Sequence, residues 1–232
     1  MKSYPKAILF DLDGVIIDTE SQYSIFWGSI GHQYRPDVPD FAERIKGTTL
    51  ESIYTHWFAH LEDQLPEITR QLDEFERQMQ YTYIEGVCSF IKSLREAGIK
   101  TAIVTASNEA KMHSVLRVHP ELPTLFDRIL TSKDYAAGKP APDCYIEGAK
   151  AFGARPEECV VFEDSINGLR AGRDSGAFVV ALTTTNPYEA VAPLADLVIE
   201  NFKGMTLDEL WVKGYGITMA SASSLPRLTI PS

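Results

Sequence analysis

Residues 7–14 of the chain read Ala-Ile-Leu-Phe-Asp-Leu-Asp-Gly. The run of four apolar residues predicts a buried strand of a parallel sheet, because helices cover both faces of such sheets and their strands are apolar throughout. In open α/β folds, ligands bind outside the carboxyl ends of the strands. Asp11 and Asp13 follow the apolar run directly, so we expect them at a ligand site, with Asp11 placed to act as a nucleophile.

Two later stretches repeat this arrangement of an apolar run followed by polar residues. Residues 101–107 place Thr105 after such a run, and residues 160–165 place Glu163 and Asp164 there. The carboxyl ends of neighbouring parallel strands meet at one edge of a sheet, which would bring these groups to the ligand site. Strand patterns alternate with helical patterns along this part of the chain, which predicts an α/β fold with a doubly wound parallel sheet.

The predicted convergence of carboxylates indicates a bound metal ion. Asp11, Asp13, Glu163 and Asp164 would repel one another in one cleft unless a cation neutralised them. We expect Mg²⁺, since it prefers oxygen ligands, keeps several waters and binds substrate phosphates. A carboxylate can then attack phosphorus and form an aspartyl-phosphate, provided that donors hold the phosphoryl oxygens.

Four motifs, in this order, resemble those of the haloacid dehalogenase superfamily: residues 11–15, 104–108, 138–143 and 162–168. The likeness extends over nearly the whole chain, to about Trp211. A DxDG sequence by itself also occurs in calcium loops and surface turns, so the resemblance depends on the four motifs together. It implies a Rossmann-like α/β core with a doubly wound parallel sheet and an inserted α-helical cap domain.

The resemblance implies a role for each acidic residue of the motifs. Asp11 is expected to be the nucleophile and a metal ligand. Asp13 is expected to act as the general acid for the leaving group and then as the base for water, with its backbone carbonyl on Mg²⁺. Asp164, supported by Glu163, is expected to complete the metal shell.

The resemblance also implies a set of groups that bind the phosphate. The hydroxyl of Thr105 and the backbone N–H of Ala106 lie at a predicted strand end and helix start, where N–H groups favour anions. They are expected to hold the transferring phosphoryl group. Lys139 stands just before another predicted helix and is expected to neutralise the phosphoryl charge and to hold Asp11.

The residue at position 13 indicates the branch of the superfamily. Its dehalogenases lack a second Asp there and its ion-pumping ATPases carry Thr, so this chain resembles the phosphatases and phosphomutases. A mutase like β-phosphoglucomutase would require His five residues after Asp18, where the chain has Tyr23. It would also require Arg after the cap loop to anchor a second phosphate, where the chain has Leu50.

Three functions therefore remain open, with hydrolysis favoured. The first is a Mg²⁺-dependent phosphatase that acts on a small organic phosphate monoester, such as a sugar phosphate, through an aspartyl-phosphate. The second is a phosphosugar isomerase of the β-phosphoglucomutase type. The third is a non-catalytic phosphate-binding module, which is the weakest because binding alone does not need both acids, the lysine and the metal pair.

The segment of residues 19–83 is predicted to be the cap. Apolar residues recur at three- and four-residue spacings over residues 50–61 and again over residues 68–79, which is typical of amphipathic helices. Residues 1–18 and 84–212 would then form a discontinuous catalytic core.

Two segments outside the motifs are assigned from composition and local pattern. Lys46, Gly47, Thr48 and Thr49 break the helical pattern of the cap and resemble a substrate-specificity loop, although a plain turn between helices fits the residues as well. Residues 213–232 are rich in Gly, Ser, Ala and Pro and are predicted to form an extended or poorly ordered tail. A docking segment is the alternative for the tail, because Leu225, Leu228 and Ile230 alternate with other residues.

Bulk properties favour a small globular enzyme. The chain has 232 residues, 44% of them hydrophobic, and a formal charge of −10, which argues against nucleic acid or an anionic membrane as partner. The expected partner is a small phosphorylated metabolite, and we expect a monomer. Three cysteines without a CxxC pair fit buried thiols and a cytoplasmic location. No signal peptide or membrane span is predicted.

Overall fold

The computed structural model describes residues 4–216. The strands are β1 Ala7–Phe10, β2 Ile17–Asp18, β3 Thr82–Tyr83, β4 Lys100–Val104, β5 Arg128–Leu130, β6 Cys159–Glu163, β7 Phe178–Leu182 and β8 Leu197–Ile199. The α-helices are α1 Glu20–Tyr34, α2 Phe41–Ile45, α3 Leu50–Trp57, α4 Leu65–Gln78, α5 Val87–Glu96, α6 Glu109–Val118, α7 Leu122–Leu125, α8 Asp143–Lys150, α9 Ile166–Ser175, α10 Tyr188–Val191 and α11 Leu207–Leu210. Shorter helical turns cover Glu62–Gln64, Pro156–Glu158, Ala192–Leu194 and Trp211–Tyr215.

Six strands form one parallel sheet in the order β5-β4-β1-β6-β7-β8. The chain proceeds outward from β1 through β4 and β5 on one side and continues from β6 through β7 and β8 on the other, which confirms the predicted doubly wound α/β sheet. The register pairs Phe10 with Ile103 of β4 and with Phe162 of β6. The residues that follow these three positions therefore leave the sheet at the same edge.

Strand β1 lies at the centre of the sheet and its side chains are fully buried on both faces. Ile8 and Phe10 enter one hydrophobic cluster, whereas Ala7 and Leu9 enter another on the opposite face. The ring of Phe10 stacks on Phe162 with centroids 5.0 Å apart. Burial of each large apolar side chain contributes about 1.5–3 kcal/mol, so the position of β1, and with it that of the following acids, is strongly fixed.

Helices α1 to α4 form the cap and have a hydrophobic core of their own. Trp27, Phe41, Ile53 and Phe58 are buried in it. The chain enters and leaves this unit through β2 and β3, which form a two-stranded antiparallel ribbon with Ile17 opposite Tyr83. The structure thus places the four helices between β2 and β3, and the pairing of these two strands was not predicted from the sequence.

The carboxyl-terminal part of the described chain is helical and packed. The π-helical turn Trp211–Tyr215 follows α11, and Tyr215 is only 1% exposed. Its ring meets Phe178 with centroids 5.6 Å apart. Residues 213–216 of the predicted tail are thus helical and packed. The rest of the tail, with Leu225, Leu228 and Ile230, lies outside the described residues.

Two further predictions concern cysteines and membranes. Over residues 4–216 all three cysteines are free thiols; Cys144 and Cys159 are buried and Cys88 is half-buried. In the same range, no helix has both the length and the apolar character needed to cross a bilayer.

Candidate active site

The edge of the sheet brings together carboxylates from two neighbouring strands. Asp11 follows β1, Glu163 ends β6 and Asp164 comes next, and all three side chains are buried. The N–H of Asp11 donates to the carbonyl of Phe162 at 3.0 Å, which continues the pairing of β1 with β6 beyond the strand. One carboxylate oxygen from each of the three acids lies within 4.8 Å of the others. The structure thus brings Asp11, Glu163 and Asp164 together, as the sequence predicted.

Lys139 lies beneath these acids and joins two of them. Its Nζ is 2.7 Å from Asp11 Oδ1 and 2.5 Å from Glu163 Oε1, and its side chain is 0% exposed. Burial would lower the pKa of Lys139, but Asp11 and Glu163 hold it well above its ordinary value. The lysine is therefore charged, and it holds one oxygen of Asp11, whose side chain also lines the cavity.

Glu163 is held by five hydrogen bonds. Its Oε1 accepts from Lys139 and from the hydroxyl of Tyr145, the latter at 2.8 Å. Its Oε2 accepts from the backbone N–H groups of Asp164 and Ser165 and from the Ser165 hydroxyl, at 3.0, 3.1 and 3.1 Å. These contacts fix the turn that carries Asp164, and they leave Glu163 with little capacity for another ligand.

Two of the acids that line the cavity, Asp11 and Asp164, have raised pKa values. Burial raises the pKa of Asp11 to about 7, although Lys139 opposes the shift. Burial also raises the pKa of Asp164 well above its ordinary value, and Glu20, Glu163 and Asp11 add to the effect. Neighbouring carboxylates in this state fit a hard divalent cation, because the ion would restore charge balance and accept oxygen ligands.

Gly14 allows Asp164 to come close to the first motif. It has φ +71°, and a Cβ at this position would overlap the carboxylate of Asp164. The Asp164 carboxylate also accepts from the hydroxyl of Thr185 and its backbone carbonyl accepts from Asn186 Nδ2. Neither Thr185 nor Asn186 was predicted as part of the site; both follow β7, the next strand of the sheet.

Asp13 accepts hydrogen bonds from three donors. Thr19 donates to its Oδ1, while Lys111 and Ser107 donate to its Oδ2, the last at 3.3 Å. Lys111 is 4% exposed and lies on α6. Its ammonium group is also 4.3 Å from the centroid of the Tyr23 ring. The structure thus places a lysine beside the predicted acid–base group, which the motifs did not reveal.

Two of the predicted phosphate-binding residues, Thr105 and Ala106, line the same cavity as Asp11, whereas the third, Lys139, is buried beneath the acids and is not part of the cavity lining. Thr105 and Ala106 follow β4, and the N–H of Thr105 donates to the carbonyl of Leu130 in β5 at 3.0 Å. The Thr105 hydroxyl donates to Ser107 Oγ at 2.9 Å. These contacts hold the hydroxyl and the following N–H groups at the carboxyl edge of the sheet, beside the buried acids.

The cap loop lies directly over this edge. Lys46, Gly47 and Thr48 line the cavity, and the carbonyl of Lys46 accepts from Asn167 Nδ2 at 2.9 Å. Gly47 has φ +71°, and a Cβ there would overlap the hydroxyl of Ser165. Thr49 has a different place: its hydroxyl accepts from the N–H of Ser52 at 3.1 Å and caps α3. The loop is therefore both a cavity wall and a helix start.

The remaining cap side of the cavity is formed by residues that were not predicted as a site. They come from all four cap helices: Glu20, Tyr23, Ser24, Trp27, Ala42, Ile45, Leu50, Ile53, Leu72 and Glu76. The hydroxyl of Tyr23 donates to Glu76 Oε1 at 2.7 Å. The cavity is thus enclosed by the core on one side and by the cap on the other.

A family model described as haloacid dehalogenase-like hydrolase matches residues 5–176. The chain belongs to this family. The chain is 29% identical to beta-phosphoglucomutase of Bacillus subtilis (strain 168) over 221 residues, which are 88% of this chain and 93% of that protein. It is 28% identical to hexitol phosphatase A of Escherichia coli (strain K12) over 208 residues, 87% of this chain and 94% of that protein.

The structural comparison agrees with the family assignment. The solved beta-phosphoglucomutase from Clostridium difficile matches with a TM-score of 0.76 at 23% identity, covering 93% of this chain and 99% of that one. At 23% identity, this similarity shows that the two proteins share the same fold. Another curated relative, 26% identical, is longer, and the chain spans 56% of its length.

Proposed function

We propose that this protein is a Mg²⁺-dependent phosphatase that hydrolyses a small organic phosphate monoester, such as a sugar phosphate, through an aspartyl-phosphate. The observation that carries the proposal is the ion pair between Lys139 and Asp11 Oδ1, which orients an aspartate that lines the cavity beside Asp164. An oriented carboxylate beside donors for phosphoryl oxygens is the arrangement that nucleophilic phosphoryl transfer requires.

The metal contact is assigned to Asp11 and Asp164. Both carboxylates face the cavity and both have raised pKa values without a cation. Glu163 is close enough to join them, but its hydrogen bonds indicate that it orients Lys139 and the Asp164 turn instead. The carbonyl of Asp13 remains a predicted ligand. When bound, Mg²⁺ would offset the charge of the phosphoryl oxygens.

The residues of the chain then divide the reaction between them. The free oxygen of Asp11 attacks phosphorus, while Thr105 and the Ala106 N–H hold the phosphoryl oxygens. The bond from phosphorus to the leaving oxygen breaks, and Asp13 gives that oxygen its proton. Water next attacks the phosphorus of the aspartyl-phosphate and gives a proton to Asp13. The bond between phosphorus and the Asp11 oxygen then breaks, and inorganic phosphate leaves.

An isomerase of the β-phosphoglucomutase type is the second candidate, supported by the similarity to the Bacillus subtilis protein. The cavity weakens this candidate. Its described lining contains no arginine, and Leu50 stands where a second phosphate would need a cation. Tyr23 directs its hydroxyl to Glu76 and does not contact Asp13 through it.

The test is a panel of phosphorylated metabolites with phosphate release as the readout, with and without Mg²⁺. It includes β-glucose 1-phosphate with a bisphosphate activator, so that isomerisation is detected separately. Asp11→Asn should abolish turnover without unfolding the protein, because an amide does not attack phosphorus. Asp18→Asn is the matched control, since Asp18 is exposed on the connecting ribbon.

The proposal fails if Asp11→Asn retains near-normal turnover, or if the wild type releases phosphate at full rate in excess chelator. Conversion of β-glucose 1-phosphate into its 6-phosphate isomer, with little free phosphate, would establish the mutase activity instead.

A further inference from the structure

We infer that the substrate carries a single phosphate on a neutral polyhydroxyl leaving group, and that Glu76 in the cap accepts a hydrogen bond from one hydroxyl of that group. The inference rests on the proposed function, because it concerns the half of the same cavity that receives the leaving group. It assigns a specificity-determining role to a residue outside the cap loop.

Glu76 is an acid on the inner face of the cap with one unused oxygen. It lies on α4, lines the cavity and is 4% exposed. Its Oε1 accepts the Tyr23 hydroxyl at 2.7 Å, whereas its Oε2 has no hydrogen-bond partner within residues 4–216. A buried acceptor without a partner is unfavourable, so a donor supplied by a ligand would be stabilised there.

The position of Glu76 is fixed from two sides. Tyr23 holds its carboxylate, and the hydroxyl of Tyr81 donates to its backbone carbonyl at 2.7 Å. The ring of Tyr23 in turn lies against the ammonium of Lys111. A carboxylate held in this way is suited to recognise a donor at a defined place, since little side-chain freedom is lost when the ligand binds.

Charge in the cap half of the cavity disfavours a second phosphate. Glu20 and Glu76 both line this half. The two lysines of the lining are already paired: Lys46 with Glu43 at 2.8 Å, and Lys111 with Asp13. A second phosphate would therefore meet two carboxyl groups, and each lysine among the described lining residues is already paired with an acid, so the second phosphate would lack a free cation in a partly desolvated site.

The rest of this half is apolar and suits the carbon face of a sugar ring or a similar polyol. Trp27, Ile45, Ile53 and Leu72 line it and are buried. An apolar wall with a few fixed hydrogen-bonding groups is the common composition of a small-molecule site. A neutral, hydroxyl-rich leaving group matches both the wall and the unused oxygen of Glu76.

The first experiment compares matched substrates on the wild-type enzyme with Mg²⁺. Glucose 1-phosphate is compared with glucose 1,6-bisphosphate, fructose 6-phosphate with fructose 1,6-bisphosphate, and p-nitrophenyl phosphate serves as a reference without hydroxyl groups. We expect kcat/KM to be at least about tenfold lower for each bisphosphate, corresponding to about 1.4 kcal/mol. A preference for the bisphosphates would overturn the inference.

The second experiment changes Glu76 and measures the ratio of kcat/KM for the best polyol phosphate to that for p-nitrophenyl phosphate. Glu76→Leu should lower this ratio by about tenfold or more, because the hydroxyl loses its acceptor. Glu76→Gln should lower it less and should narrow the gap between monophosphates and bisphosphates. The control is Glu74→Gln on the exposed face of α4, where Glu74 pairs with Arg77 at 2.6 Å.

Tyr23→Phe provides a separate variant if the Glu76 variants do not fold. It removes the hydroxyl that holds Glu76 Oε1 and should also lower the ratio, with folding verified by circular dichroism. An unchanged ratio in a folded Glu76→Leu or Tyr23→Phe variant would overturn the inference while the enzyme still released phosphate with Mg²⁺. Absence of phosphate release from every ester, including the aryl phosphate, would count against the proposed function itself.

Discussion

Asn167, in the first turn of α9, donates a hydrogen bond to the carbonyl oxygen of Lys46 in the cap loop at 2.9 Å. This contact joins the cap to the helix that begins two residues after Asp164. It shows the cap docked on the core, with the cap side of the cavity over the buried acids.

Gly47→Ala should impair docking of the cap. Gly47 has φ +71°, and an added Cβ would overlap the Ser165 hydroxyl. We expect a fall of about tenfold or more in kcat/KM for a sugar phosphate, because cap closure positions the leaving group and excludes water. Gly98→Ala is the control, since Gly98 has φ +75° but nothing within 4 Å of an added Cβ. An equal fall in kcat/KM in the two variants would show that backbone strain, and not the overlap with Ser165, causes the loss of activity.

Changes at Lys46 or Thr48 should alter the ranking of sugar phosphates more than the hydrolysis of an activated aryl phosphate. Both residues line the cavity, and an aryl ester depends little on contacts with its leaving group. Lys46→Met and Thr48→Val are measured on both substrate types, with the surface change Lys150→Met as the control. Equal proportional losses on both types would mean that the loop serves cap folding alone.

Stability of the protein in chelator should fall as the pH rises from about 4 to 7. Burial raises the pKa of Asp11 to about 7, so the folded protein keeps a proton that the unfolded chain releases near pH 4. Stability from this proton is complete below the unfolded pKa and is lost as the pH rises through the folded one. Mg²⁺ should therefore stabilise more at high pH, where no proton is displaced.

Urea unfolding at several pH values, with chelator and with Mg²⁺, measures this effect. Asp11→Asn removes one of the carboxyls with a raised pKa and should weaken both the pH dependence and the Mg²⁺ increment. An unfolding midpoint in chelator that rises over the same pH range would contradict the prediction.

Lys139→Met should destabilise the fold by about 3–5 kcal/mol, because it leaves Asp11 and Glu163 buried without their cation. Lys100→Met is the matched control: Lys100 forms an exposed ion pair with Asp127 at 2.7 Å, and loss of such a pair costs at most about 1 kcal/mol. Chemical unfolding of both variants gives the comparison. Equal stabilities would mean that Lys139 acts on catalysis without supporting the fold.

The core of the site was predictable because its signals are local. An apolar run followed by an acid marks the end of a buried strand, and this pattern placed Asp11 and Asp164 correctly at one edge. The parallel register accounts for this placement, since Phe10 pairs with Phe162 and the residues after them leave the sheet at the same edge. Lys139 was identified through the order of the motifs.

The leaving-group side was not predictable in the same way, because its contacts join residues far apart in the chain. Lys111 meets Asp13 across 98 positions, and Tyr23 meets Glu76 across 53. A weaker signal for a polar site was present in α4. Glu76 stands four residues after Leu72 on the apolar stripe of α4, and a charged group on such a stripe often marks a buried polar site.

The antiparallel pairing of Ile17 with Tyr83 places the two ends of the cap insert side by side. The segment between them could therefore be transplanted as a unit, since any insert with adjacent ends would join the core without opening the sheet around β1. Under the proposed function, the residues that react with phosphorus would lie in the core, and the residues that select the alcohol would lie in a cap that can be exchanged. A chimera with the cap of a relative should inherit that relative's substrate ranking while it keeps the nucleophile of this core.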